Sequence, residues 1–185
     1  DQWIYLHGYS DVKEKLVSER PDLSKSEALE LAISGAISSA GIAAGDIAYR
    51  DIYSCFPIVV HLASEVLGLD PVNDQMSMTG GLSFFGGAGN NYSTHAIATV
   101  VEKLRQDRQA YGLVLANGGF MSKQSAGVYS AKMPQAWAEI SSEALQTKVD
   151  AQPECKLLNE DCTAVIEAYT VRHDRNGIAH AYLFA

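Results

Sequence analysis

Cysteine is scarce in this chain: three residues in 185, Cys55, Cys155 and Cys162. An odd number without regular spacing argues against a disulfide framework. Cys155 and Cys162 have no second pair to complete a zinc site, so no metal is expected. A reducing, cytoplasmic setting is the expectation. No stretch of 18 residues is apolar and free of charge, which argues against a membrane span. Basic residues are outnumbered, 14 against 22, for a net charge of −8. Such a surface repels phosphate backbones and argues against a nucleic-acid partner. Low hydrophobicity and high charge density are also absent, at 47% hydrophobic and 19% charged, which excludes disorder as the main state. A chain of this length buries a core without covalent staples. No methionine stands at position 1, and the last residues, Ala181-Tyr182-Leu183-Phe184-Ala185, form an apolar run. A piece of a longer protein is therefore expected.

Hydrophobic periodicity supplies the elements. Residues 3–7 read as a short buried strand. Ser24 and Glu27 have capping-box spacing, in which each side chain satisfies the other's free N–H. Leu29, Ala32, Ile33, Ala36, Ile37 and Ala40 then fall on one helical face, and Gly41 stands where a left-handed residue ends a helix. Residues 46–53 read as a strand. Pro57 suits a first helical turn; Val59, Val60, Ala63, Val66 and Leu67 make the buried face, and Gly68 ends it. A glycine-dense loop spans 69–91. A helix capped by Ser93 or Thr94 then runs to Gln106, with Ile97, Val100, Val101 and Leu104 inward. Residues 111–116 read as a strand buried on both faces, and 126–130 as another. The order strand, helix, strand, helix, loop, helix, strand, strand argues for a layered α/β domain over 1–130. Residues 131–150 read as linker plus short helix. A β-rich unit over 151–185 follows: 163–172 alternates, Asp174-Arg175-Asn176-Gly177 is a turn signal, and 179–184 returns.

Three segments carry chemistry. Gly80, Gly81, Gly86, Gly87 and Gly89 crowd into ten residues before a helix N-terminus. Such a loop lets backbone approach a ligand, or makes a tight structural crossing. It lacks the Gly-Lys-Ser/Thr of a phosphate loop and the third glycine of a dinucleotide fingerprint. Cys55 lies where a strand passes into a helix, a position for a nucleophile or proton shuttle, or for an inert buried thiol. Asn117-Gly118-Gly119 ends a strand, either aiming N–H groups at an oxyanion or forming a plain turn. His95 falls in the first turn of the helix after the glycine loop, as a general base or a packing residue.

Together these segments resemble the C-terminal half of the thiolase superfamily, more closely its acetyl-CoA acetyltransferase-like and sterol-carrier-protein-type branch. The resemblance covers roughly residues 1–130 and implies a layered βαβαβαββ half followed by the start of a smaller appended β domain. The family's Asn-Glu-Ala-Phe or His-Asp-Cys-Phe motif falls on Tyr53-Ser54-Cys55-Phe56, which gives Cys55 the role of acid/base thiol. The Gly-Gly-x-x-x-x-Gly-His-Pro motif falls on Gly80-Gly81 through Gly86-Gly87-Ala88, with Gly87 where the histidine stands. The Cys-x-Gly motif falls on Ala116-Asn117-Gly118, with Gly118 kept as an oxyanion donor.

The resemblance implies an acyl-CoA acyltransferase whose nucleophile lies in an N-terminal half outside this chain. The alternative is an acyl-CoA- or lipid-binding protein, or a scaffold, without turnover. Cys55, His95 and Gly118 are the expected catalytic groups. Tyr53, Gly86, Gly87, Asn90, Asn91 and Asn117 are the expected substrate contacts. Coenzyme A enters as substrate thioester and no cofactor is expected. The implied partners are acyl-CoA, the N-terminal half, a second copy, and a small zinc-ribbon/OB-fold protein.

Overall fold

The computed structural model describes residues 2–135, 141–155 and 158–185. The linker expected at 131–150 and the unit expected at 151–185 therefore lie partly outside the described residues. Strand β1 (Tyr5–Lys13) starts later and runs further than residues 3–7, and Trp3 is exposed. Its inward positions Gly8, Ser10 and Val12 are small because helix α1 (Glu27–Ala40) lies close against them. A Cβ on Gly8 would overlap the Ala36 carbonyl and the Ala40 N–H.

Helix α1 is capped by Ser26, whose hydroxyl accepts from the Leu29 N–H at 3.3 Å, and not by the expected Ser24, which donates to Asp22. The buried Glu14 carboxylate explains the shift. It accepts from the Ser26 hydroxyl and the Ala28 N–H, both at 2.9 Å, placing a negative group at the positive end of the helix. Gly41 ends α1 at φ 67°. Strand β2 (Ile47–Ile52) and helix α2 (Pro57–Leu67) follow, the latter ended by Gly68 at φ 68°.

The glycine loop holds one short helix, α3 (Leu82–Phe85), and a 3-10 turn at Gly89–Asn91 that runs directly into α4 (Tyr92–Gln106). Because the turn supplies the entry, Ser93 and Thr94 fall inside the first turn of α4 instead of capping it. The buried stripe on α4 is Tyr92, Ala96, Val100 and Leu104, with Ile97 and Val101 half-buried at its side. Strands β3 (Tyr111–Gly118) and β4 (Lys123–Ser130) complete a sheet of order β1-β4-β3-β2. β2 and β3 are parallel; β4 is antiparallel to β3 and β1. Where a βαβαβαββ order has its third strand, the segment around Met76 runs beside β2 and bonds it through the Ile52 N–H at 3.0 Å.

Side chains of the sheet alternate between two cores, giving an α/β/α layering. Leu113, Leu115, Ala126 and Val128 pack with α1 and α2, and Val114 packs with α4. Helix α5 (Ser142–Asp150) covers the edge of β1: the Gln146 side chain accepts from the Lys13 N–H at 2.7 Å and donates to its carbonyl at 2.9 Å. This pairs an edge that would otherwise be open to another strand. An antiparallel hairpin, β5 (Ala168–Asp174) and β6 (Gly177–Phe184), turns at the expected Asp174–Gly177.

Candidate functional site

Parallel pairing of β2 with β3 makes both strands end at the same edge of the sheet. Ile52 registers with Leu115, so the chain leaves β2 through Tyr53, Ser54 and Cys55 beside Ala116, Asn117 and Gly118. The Tyr53 N–H extends the ladder to the Leu115 carbonyl at 3.1 Å. Ligands of open α/β sheets bind outside such carboxyl ends. Here they border a hollow of about 510 Å³, walled by Tyr53, Phe56, Ala116 and Phe120 and carrying Cys55, Asn90, Ser93 and Asn117 as polar groups.

The Cys55 thiol donates to the Asn117 side-chain carbonyl at 2.8 Å, and the Asn117 amide donates to the Tyr53 carbonyl at 3.0 Å. This closes a small ring between the two strand ends and fixes the amide's orientation. Burial pushes the Cys55 thiol above its ordinary value, outweighing the Asn117 side chain and the backbone N–H groups of Phe56 and Cys55, which favour the thiolate. The group is therefore a proton-carrying thiol at neutral pH. A helix start nearby does not turn it into a thiolate.

Two residues of the Cys55 segment hold the glycine loop. Asp51, wholly buried, accepts from the Ser77 hydroxyl at 2.9 Å and from the Thr79 N–H and hydroxyl, both at 2.8 Å. Thr79 in turn meets the Tyr92 hydroxyl at 2.6 Å. Burial raises the Tyr92 phenol above its ordinary value. Ser54 accepts from the Leu82 N–H at 3.1 Å, and a Cβ on Gly81 (φ 75°) would come within 2.9 Å of that hydroxyl. Glycine at 81 is thus required twice, by its backbone conformation and by this close approach.

The sequence-predicted residues divide into two groups. Tyr53, Cys55, Asn90, Asn117 and Gly118 come together around the hollow. Gly86, Gly87, Asn91 and His95 are not among its lining. His95 is exposed, pairs with Asn91 at 3.1 Å, and lies against the Phe85 ring at 5.2 Å between centroids. The sequence reading missed Asp51, Ser93 and Phe120. Phe120 directly follows Gly118-Gly119, and that adjacency was the available signal. Asp51 acts across 28 residues and left none. Among the described residues, no group of three or more His, Cys, Asp or Glu is placed to hold a metal. No helix there is long and apolar enough to cross a membrane.

No family model and no curated protein sequence matches the chain. Solved structures do. An SCP2-thiolase-like protein type 1 from Mycobacterium smegmatis, described as monomeric, superposes with a TM-score of 0.86 at 44% identity over 92% of this chain. The chain belongs to the thiolase superfamily. This thiolase-superfamily chain spans 38% of the length of that relative. Two 3-ketoacyl-CoA thiolases share the fold. The human mitochondrial protein has a TM-score of 0.54 at 20% identity, covering 69% of this chain and 30% of its own. The peroxisomal protein of Saccharomyces cerevisiae has 0.52 at 19%, covering 65% and 32%. The yeast structure is described as built from two core domains of identical topology. The layered half seen here corresponds to such a core domain.

Proposed function

We propose that this chain is the acyl-CoA-facing lobe of a thiolase-type acyltransferase, with Cys55 as its proton donor. The observation that carries this reading is the Cys55–Asn117 contact inside the hollow at the parallel strand ends. When the carbon–carbon bond of a 3-ketoacyl thioester breaks, the acyl group passes to a nucleophile outside this hollow. The Cys55 thiol then gives its proton to the α-carbanion, which leaves as acetyl-CoA. The thiol of incoming coenzyme A returns that proton to Cys55, and the thiolate so formed takes the acyl group from the nucleophile as the shortened acyl-CoA, freeing the nucleophile. A thiol held above its ordinary pKa suits the first step, because it stays protonated until a strong base forms. Asn117 holds the thiol, and Asn90 and the Gly118 N–H serve as donors to the thioester oxygen.

A second reading, binding of acyl-CoA without turnover, is favoured by one observation. Gly87 stands where the family motif has its histidine, and no imidazole lines the hollow. A homodimer and a small zinc-ribbon/OB-fold partner belong to the proposal for the whole protein.

The test assays the intact protein for thiolysis of a 3-ketoacyl-CoA and for acyl-CoA binding. Turnover that falls at least about 10²-fold in Cys55→Ala, with binding kept, supports the transferase. Binding without turnover in the wild type supports the second reading. Absence of both overturns each.

A further inference from the structure

The turn from β3 to β4 is built from three successive residues with positive φ: Gly119 at 58°, Phe120 at 57° and Met121 at 64°. Left-handed backbone is rare for residues with a β-carbon and costs free energy at each such position. At Met121 the core side of the turn accounts for it. The side chain is buried, and the carbonyl accepts from Arg20 Nη2 and Gln124 Nε2, both at 3.2 Å. The next residue is held too, since the Glu14 N–H donates to the Ser122 carbonyl at 2.9 Å.

Phe120 has no such account. The residue is 80% exposed in this chain, which spans 38% of its relative's length, and glycine or asparagine would make the same turn with less strain. What the ring does meet is Phe56, at 6.2 Å between centroids and 32° between planes, over the hollow that holds Cys55. Strained residues persist where function uses them, and a rigidly presented aromatic gives contact area at little entropic cost.

We propose that Phe120 is the specificity-determining residue of the Cys55 hollow and that it selects thioesters with an apolar acyl chain longer than acetyl. The polar end of the hollow, Cys55, Asn117, Asn90 and Ser93, suits a thioester carbonyl. The Phe56–Phe120 side suits hydrocarbon and offers a chain of two carbons too little to cover. This inference rests on the acyl-CoA reading above and adds the acyl class and the residue that reads it.

The test compares binding of acetyl-CoA and octanoyl-CoA to the intact wild type, Phe120→Ala and Phe120→Gly by titration calorimetry, with melting curves alongside. The wild type is expected to prefer octanoyl-CoA. Both variants are expected to lose about tenfold in octanoyl-CoA affinity and to keep acetyl-CoA affinity within about twofold. Phe120→Gly permits the left-handed turn and is expected to melt no lower than the wild type. That combination separates a ligand contact from a structural role. Equal weakening for both thioesters, or unchanged binding as a protein-docking role would give, overturns the inference while leaving the acyl-CoA reading in place. Failure of the wild type to bind either thioester overturns both.

Discussion

Cys55 and Asn117 stand 2.8 Å apart although 62 residues separate them. Their meeting follows from the parallel register of β2 and β3, which brings two strand-to-loop exits side by side. The thiol is donor in this pair, so proton and sulfur sit at the border of the hollow under control of a fixed amide.

Burial raises the Cys55 thiol, and this sets the pH at which it reacts. In a Cys155→Ser/Cys162→Ser background, alkylation of Cys55 by iodoacetamide is expected to rise with pH only above the ordinary cysteine range. Unfolded protein is expected to react faster at each pH below it. Because the folded pKa is the higher one, the associated stability is full below the unfolded value and is lost as pH rises through the folded value. Fast alkylation near neutral pH would show a thiolate instead.

Asp51 ties the glycine loop to the strand that carries Cys55. Asp51→Ala leaves the Ser77 and Thr79 donors without their acceptor. It is expected to cost about 2–4 kcal/mol in urea denaturation. Amide exchange at Thr79 is expected to speed up with it, since that N–H donates to Asp51.

Two glycines of the same loop should behave oppositely. A Cβ on Gly87 meets only Leu82 Cδ2, at 3.6 Å, so Gly87→His is expected to fold with a melting temperature near that of the wild type. Gly81→Ala meets the Ser54 hydroxyl at 2.9 Å in a left-handed backbone and is expected to lose about 1–3 kcal/mol. Melting curves of the two variants check the pair.

Helix ends were legible because their determinants are local. Gly41 and Gly68 are both left-handed where a stop was expected, and Pro57 opens α2. The cap of α1 moved from Ser24 to Ser26 because Glu14, twelve residues before Ser26, also bonds that turn, a contact no local pattern reports. β1 runs past His7 unforeseen because its inward positions Gly8 and Ser10, fitted to the close approach of α1, break the apolar alternation before Val12. The site was legible as three separate segments. That Cys55 and Asn117 touch, and that His95 is outside the lining, depends on strand register and on where α4 begins. The adjacency of Phe120 to Gly118-Gly119 was legible, but its positive φ, which sets it apart, shows only in the fold.

Close packing at Gly8 gives a stability test remote from the hollow. Gly8→Ala would drive a methyl into the backbone of α1 at Ala36 and Ala40, where no flexible side chain can yield. A loss of about 3 kcal/mol or more is expected by chemical denaturation.

The most direct test alkylates Cys55 in the intact Cys155→Ser/Cys162→Ser protein with and without saturating octanoyl-CoA, followed by intact mass and peptide mapping. The account predicts that the thioester protects Cys55 from alkylation and that no acyl group is found on its sulfur. Unprotected Cys55, or an acyl adduct mapped to it, would contradict a proton-donating thiol in an acyl-CoA site.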